Sequence, residues 1–192
     1  MNILVVAATS SEITSEFIKR FPVLITGVGM VNTAINLTQE LLNKKYDYVV
    51  NMGIAGSFSD DLKIGQVVEV TEDNFSEIGY ESASGFLNFR EFNLKTKYLN
   101  SSQTSLKNVR AITVNTVHGN EHSINDIKSR MSPDIESMEG ASIFQTCNKL
   151  NVKCLQLRCI SNKVEIRDKK NWDIDLAISN LNLEVEQIIM NL

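Results

Sequence analysis

The sequence is poor in the features that define several large classes of protein. It contains only two prolines and three cysteines in 192 residues, so we expect neither a proline-rich linker nor a disulfide scaffold. No apolar run approaches the roughly 20 residues that span a bilayer, and no basic segment precedes the short apolar start. We therefore expect no membrane span, no signal peptide and a cytoplasmic location.

Positive charge is also scarce. The chain has 19 Lys and Arg residues against 23 Asp and Glu residues, for a formal net charge of -4. Nucleic acids and anionic membranes attract concentrated positive charge, so we expect neither as a partner. The only two histidines, His118 and His122, have no evident third ligand and do not form an H-E-x-x-H motif. We predict no metal site.

Short apolar runs alternate with segments of helical period along the whole chain. Continuous β-branched runs are typical of central strands that are buried on both faces. These runs are 3–8, 23–26, 48–52, 67–71, 109–114 and 154–160. Helical period covers 139–150, 174–192 and 30–45, and a first helix is expected near Ser10. The apolar face of 30–45 consists of Val31, Ala34, Ile35, Leu41 and Leu42. We predict one α/β domain over residues 1–192, with a central mixed β-sheet flanked by α-helices.

Polar and glycine-rich segments follow four of these runs, at 9–12, 26–32, 51–57 and 158–162. Ligands of α/β folds bind beyond the carboxyl ends of strands, which makes these segments candidate sites. Each also has an ordinary structural explanation. Glu12 and Glu139 stand where carboxylates favour helix N-termini, Glu136 suits a solvated loop, and Gly27-Val-Gly29 suits either a tight turn or amides offered to a ligand.

In chain order these segments resemble the nucleoside phosphorylase/nucleosidase superfamily. The most specific part is Ser137-Met-Glu-Gly-Ala141, followed by Arg158-Cys-Ile-Ser-Asn162. Within the superfamily the chain resembles the futalosine hydrolases and the methylthioadenosine/S-adenosylhomocysteine nucleosidases. The segments 113–120 and 161–167 favour the futalosine hydrolases, although Ile166 stands where proline is usual. The resemblance implies a nucleoside phosphorylase-like fold and a homodimer or higher homo-oligomer.

The same resemblance implies a reaction and a set of roles. The reaction is hydrolysis of the N-glycosidic bond of futalosine, which releases hypoxanthine and dehypoxanthine futalosine in menaquinone biosynthesis. Glu12 matches the general base that activates water, Glu139 the carboxylate that binds the ribose hydroxyls, and Asn162 the residue beside the base. The substrate-binding residues implied near the sugar and base are Gly53, Ile54, Ala55, Gly56, Ser137 and Met138. The candidates for the carboxylated aromatic group on the 5′ side are Phe89 and Arg167, and also Phe86, Arg90 and Lys163. The partners are then a small nucleoside and water, and no cofactor is implied.

Asn162 indicates the base. Adenine-specific members carry Asp there, whereas a 6-oxopurine presents acceptors at both N7 and O6, and an amide NH₂ donates without taking up a proton. We therefore predict hypoxanthine as the leaving base. The alternatives are a methylthioadenosine/S-adenosylhomocysteine or aminofutalosine nucleosidase, a purine nucleoside phosphorylase and an inactive nucleoside-binding protein. Phosphorolysis is disfavoured because 9–12 and 27–32 contain no Lys or Arg to bind phosphate.

Overall fold

A mixed β-sheet lies at the centre of the computed structural model, which describes residues 1–83, 85–89 and 91–192. The strands are β1 (Ile3–Ala7), β2 (Val23–Ile25), β3 (Tyr48–Ser57), β4 (Val67–Phe75), β5 (Tyr80–Ser82), β6 (Gly85–Leu87), β7 (Lys97–Leu99), β8 (Lys107–Thr113), β9 (Ile135–Ser137) and β10 (Lys153–Lys163). The helices are α1 (Met30–Asn43), α2 (Glu121–Met131), α3 (Gly140–Leu150) and α4 (Ile174–Asn191).

The sheet closes partly on itself. Its order is β10-β4-β8-β9-β3-β1-β2, β7 pairs with β4, and β10 also pairs with β3. The five strands β10, β4, β8, β9 and β3 therefore form a ring, from which β1 and β2 extend. The β3–β10 pair is parallel and the β3–β9 pair is antiparallel. The predicted α/β fold with a mixed sheet is confirmed.

The sheet buries both of its faces, which explains the continuous apolar runs. Along β1, Ile3 and Val5 belong to the core cluster that includes α4, whereas Leu4 and Val6 belong to the cluster that includes α1 and α3. Alternate residues of a strand point to opposite faces, so a strand between two helical layers is apolar at every position. From α4, the buried apolar residues are Ala177, Leu181, Val185 and Ile189.

One prediction about burial is wrong and another holds only in part. The run 23–26 is not a central strand, because β2 is the last strand of the sheet, and Val23 and Ile25 are exposed. Of the apolar face predicted for helix 30–45, Leu41 packs against the core, whereas 65% of Val31, 60% of Ile35 and 69% of Leu42 is accessible. Helical period identifies an apolar face, but the position of the helix on the sheet decides whether this chain covers it.

Two predicted strands are longer than their apolar runs. β3 extends to Ser57 because its glycine-containing end pairs with β9 and β10, and β10 extends to Lys163. The segments 51–57 and 158–162 therefore lie within strands rather than after them. The first helix is only a one-turn 3-10 helix, Ser10–Glu12. Residues 10–12, 51–57 and 158–162 still form one edge of the sheet, where the site was predicted.

Within the described part of the chain, no helix has both the length and the apolar character needed to cross a lipid bilayer. The three cysteines are free thiols, and Cys147 and Cys159 are buried among apolar side chains. Burial raises the pKa of the Cys159 thiol to about 12. A thiol with so high a pKa stays protonated at neutral pH and acts as a small apolar side chain.

Candidate active site

A cavity of about 370 Å³ opens at the edge of the sheet, in the size range of small-molecule sites. It lies between the loop after β1, the ends of β3, β9 and β10, and the start of α4. The sequence-predicted residues that line it are Glu12, Ile54, Ala55, Gly56, Ser137, Met138, Glu139, Asn162 and Arg167. The folded chain thus brings together segments that are up to 155 positions apart in the sequence.

Glu12 is a carboxylate fixed by backbone donors. Its Oε2 accepts the Thr9 N–H at 2.9 Å and its Oε1 accepts the Ile54 N–H at 3.3 Å, and only 8% of the residue is exposed. From α4, Asn182 donates to the Glu12 carbonyl at 2.9 Å and accepts the Thr14 N–H at 2.9 Å. Glu12 therefore closes its own helical turn, as its position predicts, and also faces the cavity.

Glu139 stands immediately before α3 and is fixed from another loop. Its Oε1 accepts the Gly29 N–H at 2.9 Å. Gly29 has φ +97°, a conformation that favours glycine, so the Gly27-Val-Gly29 turn aims this amide at the carboxylate. Burial raises the pKa of Glu139 above its ordinary value, and the charge of Glu12 adds to the rise. The Gly29 N–H and Arg158 lower this pKa but do not outweigh burial.

Arg158 lies beneath the two carboxylates and is 2% exposed. A Cβ on Gly53 would stand 3.1 Å from Glu12 Oε1 and 3.5 Å from Arg158 Nη1, so Gly53 backs this group rather than lining the cavity. Burial lowers the pKa of Arg158, but Glu139, Glu12 and Asp73 favour its charged form. Sequence reasoning missed this role of Arg158, although it quoted the segment that contains it. We call Glu12, Glu139 and Arg158 the carboxylate end.

Asn162 lies at a β-bulge. The β3–β10 register shifts between Ile160 and Asn162, which leaves Ser161 as the additional residue. The Asn162 Nδ2 donates to the Lys163 carbonyl at 2.8 Å, and its Oδ1 accepts from the Ser161 hydroxyl at 2.8 Å. A Cβ on Gly56 would be 2.9 Å from Val164 Cγ2 and 3.2 Å from this Nδ2, so a larger residue at position 56 would require these two side chains to shift. Because one NH₂ group has two hydrogens, Asn162 retains a donor for a ligand.

Glu136 and His118 form a pair that sequence reasoning missed. The ordinary structural explanation of Glu136 as a solvated loop residue does not hold: it lies in β9, is 4% exposed and lines the cavity. Its carboxylate accepts the His118 backbone N–H at 3.1 Å and meets His118 Nδ1 at 2.6 Å. The two residues are 18 positions apart and meet because β8 and β9 pair in parallel. We call Asn162, His118 and Glu136 the amide end.

Gly53 and Gly56 locate the two ends relative to each other. They are three residues apart on β3, a separation of about 10 Å at 3.3 Å per strand residue. Gly53 contacts the carboxylate end, whereas a Cβ on Gly56 would stand 3.7 Å from Glu136 Cγ and close to Asn162. Glu12 and Glu139 line the same cavity as Asn162, His118 and Glu136, so one bound molecule can contact both ends.

The candidates for the 5′ side group are scattered. Arg167 lines the cavity with its guanidinium 4.9 Å from the centre of the Trp172 ring, whereas Phe89 does not line it and packs against Tyr80 and Phe92. Lys163 donates to the Leu62 carbonyl at 3.0 Å. Phe86 lies under Arg130, and Arg90 lies outside the described residues. Across 1–83, 85–89 and 91–192, no cluster of three His, Cys, Asp or Glu side chains could hold a metal ion.

The sequence profile of the Phosphorylase superfamily matches residues 17–190. The chain belongs to this superfamily. The match covers most of the chain and includes every segment of the cavity except the loop that carries Glu12.

Among relatives within the superfamily, the chain is 26% identical over 182 residues to a futalosine hydrolase of Thermus thermophilus. The aligned region covers 88% of this chain and 81% of that protein. It is 27% identical over 176 residues to a 5′-methylthioadenosine/S-adenosylhomocysteine nucleosidase of Exiguobacterium sp., which covers 83% and 75%. A nucleosidase of the latter kind from Neisseria meningitidis, in complex with methylthio-immucillin-A, has the same fold, with a TM-score of 0.84, 18% identity and full coverage of both chains.

Proposed function

We propose that this chain is a nucleosidase that hydrolyses the N-glycosidic bond of futalosine, with residues 1–192 acting as one cytoplasmic domain. The products are hypoxanthine and dehypoxanthine futalosine, in menaquinone biosynthesis. The observation that carries the proposal is one cavity lined by two carboxylates, the buried Glu12 and the half-buried Glu139, and by the uncharged Asn162. The similarity to the Thermus thermophilus futalosine hydrolase supports the same substrate.

The carboxylate end suits the sugar and the attacking water. Cleavage leaves positive charge on the ribose, which anionic groups stabilise in the transition state. Glu139, fixed by the Gly29 amide, would bind the ribose hydroxyls, and Met138 beside it would pack on the sugar. Glu12, aligned by the Thr9 and Ile54 amides, would take a proton from water as the water attacks C1′.

The amide end suits the base. The departing purine gains negative charge, which a hydrogen-bond donor stabilises. Hypoxanthine presents the acceptors N7 and O6, and Asn162 has one N–H left after its bond to the Lys163 carbonyl. Ala55 and Gly56 would form the wall between the sugar and the base, with Ile54 and Ser137 at its margins. A matched donor also rejects an unmatched base, because buried polar groups would otherwise lose their partners.

Water is favoured over phosphate as the nucleophile. In other proteins, phosphate groups are bound by cationic side chains or by amide N–H donors. A phosphate nucleophile would need such donors near the sugar. Here the Gly29 N–H is bonded to Glu139, and Glu12 and Glu139 face the cavity with negative charge. Arg158, a cation beside them, lies beneath both carboxylates and donates to the Leu157 carbonyl.

A methylthioadenosine/S-adenosylhomocysteine nucleosidase is the second candidate. The observation that favours it is 27% identity to the Exiguobacterium enzyme over 83% of this chain. The two candidates share the carboxylate end and differ in the base that is released, adenine or hypoxanthine. Asn162 favours hypoxanthine, because an amide cannot supply the proton that an aspartic acid would give.

The test is base release by the purified chain, followed by chromatography with and without phosphate. Futalosine, inosine and methylthioadenosine would be compared at equal concentration. We expect hypoxanthine from futalosine at a rate that phosphate does not change. Adenine from methylthioadenosine alone would make the second candidate correct, and release only with phosphate would indicate a phosphorylase.

We also propose a homodimer. The exposed apolar residues Val31, Ile35 and Leu42 share one face of α1, and burying such a face against a second copy would be favourable. Sedimentation equilibrium of the wild-type chain and of Ile35→Lys tests this. A dimer that the lysine weakens is expected, whereas a monomeric wild-type chain would contradict the proposal.

A further inference from the structure

The amide end contains a titratable pair that the proposed reaction has not yet used. His118 and Glu136 both line the cavity, and His118 Nδ1 lies 2.6 Å from Glu136 Oε2. Since an ionised carboxylate only accepts hydrogen bonds, Nδ1 carries a hydrogen and Nε2 is the ring nitrogen left for a ligand. The His118 backbone N–H also donates to Glu136, and the ring packs edge-on against Phe58, 5.9 Å between centres. The imidazole is therefore held in one orientation.

Hydrolysis creates a need for a proton at this end. Water gives its oxygen to C1′ and one proton to Glu12, while the C1′–N9 bond breaks and its electron pair leaves with the base. The base must then gain one proton to become neutral hypoxanthine. Asn162 can donate a hydrogen bond, but an amide does not titrate and cannot transfer that proton.

We propose that His118 is the general acid that protonates the departing 6-oxopurine, with Glu136 as its positioning residue. This inference rests on the proposed function. The imidazolium gives the proton on Nε2 to the N7–O6 edge of the base, and Glu136 stabilises the charged ring before the transfer. After release, His118 takes a proton from solvent and Glu12 returns one to solvent, so the net reaction consumes only water.

The charges around His118 fit this role. Glu136, its direct partner, is anionic and comes from β9. The other charged side chains that line the cavity are Glu12, Glu139 and Arg167, and Arg167 approaches through its backbone N–H, which donates to the Gly119 carbonyl at 3.2 Å. Lys163 of β10 forms an ion pair with Asp60 at 3.7 Å. Among the described titratable side chains that line the amide end, only His118 is a cation when it is protonated.

The first test is the pH dependence of kcat/KM for hypoxanthine release from futalosine. In the wild-type chain the rate should fall as pH rises, because the imidazolium is lost. His118→Gln should lower the rate about 100- to 10,000-fold at neutral pH and abolish this alkaline decline. His122→Gln, which changes the exposed histidine of α2, should leave both the rate and its pH dependence unchanged.

Glu136→Gln separates positioning from packing. Loss of the carboxylate destabilises the protonated imidazole of His118, so the alkaline decline should move to lower pH. The maximal rate should fall less than in His118→Gln. Thermal melting of each variant checks that it folds. A His118→Gln variant that keeps the wild-type alkaline decline, or a wild-type chain without one, would overturn the inference.

A binding measurement distinguishes failure of this inference from failure of the proposed function. Hypoxanthine added to the wild-type chain should shift the NMR signals of the His118 ring and not those of His122. If futalosine is turned over while the His118 signals stay in place, the acid role is wrong and the proposed function stands. If no hypoxanthine is released from futalosine, the proposed function itself is wrong.

Discussion

The two ends of the cavity are held in different ways. At the carboxylate end, Glu12 and Glu139 accept hydrogen bonds from backbone amides, and a buried arginine lies beneath both. At the amide end, Asn162 bonds to the Ser161 hydroxyl and to the Lys163 carbonyl, whereas His118 bonds to the Glu136 carboxylate. We infer that the residues for the chemistry common to purine nucleosides are held in place by the loops of the fold. Under the proposed function the choice of base would rest on side chains, which can change without a change of fold.

The largest effect is expected at the carboxylate end. Glu12→Gln keeps the size of the side chain but removes the base that activates water, so kcat should fall about 100- to 10,000-fold with little change in KM. Glu16→Gln is the matched control, because Glu16 stands in the same segment but is exposed and pairs with Lys19. Steady-state kinetics with futalosine checks both variants. A Glu12→Gln variant with wild-type kcat would remove Glu12 from the mechanism.

A smaller effect is expected at the amide end. An aspartic acid at position 162 has a single proton, which can be donated to the Lys163 carbonyl or to the base but not to both. One buried polar group therefore loses its partner in Asn162→Asp, and hypoxanthine release should fall roughly 10- to 100-fold. Asn125→Asp, on the exposed surface of α2, controls for the added charge. The rates of futalosine hydrolysis decide the outcome. Full activity in Asn162→Asp would show that the amide does not read the base.

The smallest effect on catalysis is expected beneath the carboxylate end, at Asp73. Burial raises the pKa of its carboxyl to about 6, against hydrogen bonds from Gln156 and Thr113. The folded chain therefore holds this proton more tightly than the unfolded chain, where the pKa is about 3.9. The stability that the bound proton contributes is complete below pH 4 and is lost as pH rises through 6, on the order of 3 kcal/mol.

Asp73→Asn removes this titration. We expect the free energy of unfolding to decline less between pH 4 and pH 7 in the variant than in the wild-type chain, measured by urea unfolding at each pH. Asp126→Asn, in the exposed ion pair with Arg130, should follow the wild-type curve. Identical curves for Asp73→Asn and wild type would show that Asp73 does not titrate in this range.

The two carboxylates of the carboxylate end were predictable because their signals are local, whereas the role of Arg158 was not. Glu12 lies in the first turn of its 3-10 helix and Glu139 immediately before α3, where sequence position alone indicates a carboxylate near backbone amides. The period of α4 was equally informative, since its apolar residues repeat on one face. What local pattern could not predict was that Glu139 takes its amide from Gly29, 110 residues earlier.

The amide end was less predictable because it depends on the order of strands. Glu136 meets His118 only because β9 lies between β8 and β3, and no local feature indicates that order. The exposure of β2 and of Val31 has the same cause, since neighbours in space decide which apolar residues are covered. The Ser161 bulge likewise arises from the β3–β10 register.

The most direct test of the account is a competition between two substrates that differ only at the base. Futalosine and aminofutalosine, mixed in equal amounts with the wild-type chain, release hypoxanthine and adenine, which chromatography separates. We predict that hypoxanthine appears first, at a rate roughly 100-fold or more above that of adenine. Adenine released as fast as hypoxanthine, or faster, would contradict the assignment of the amide end to a 6-oxopurine.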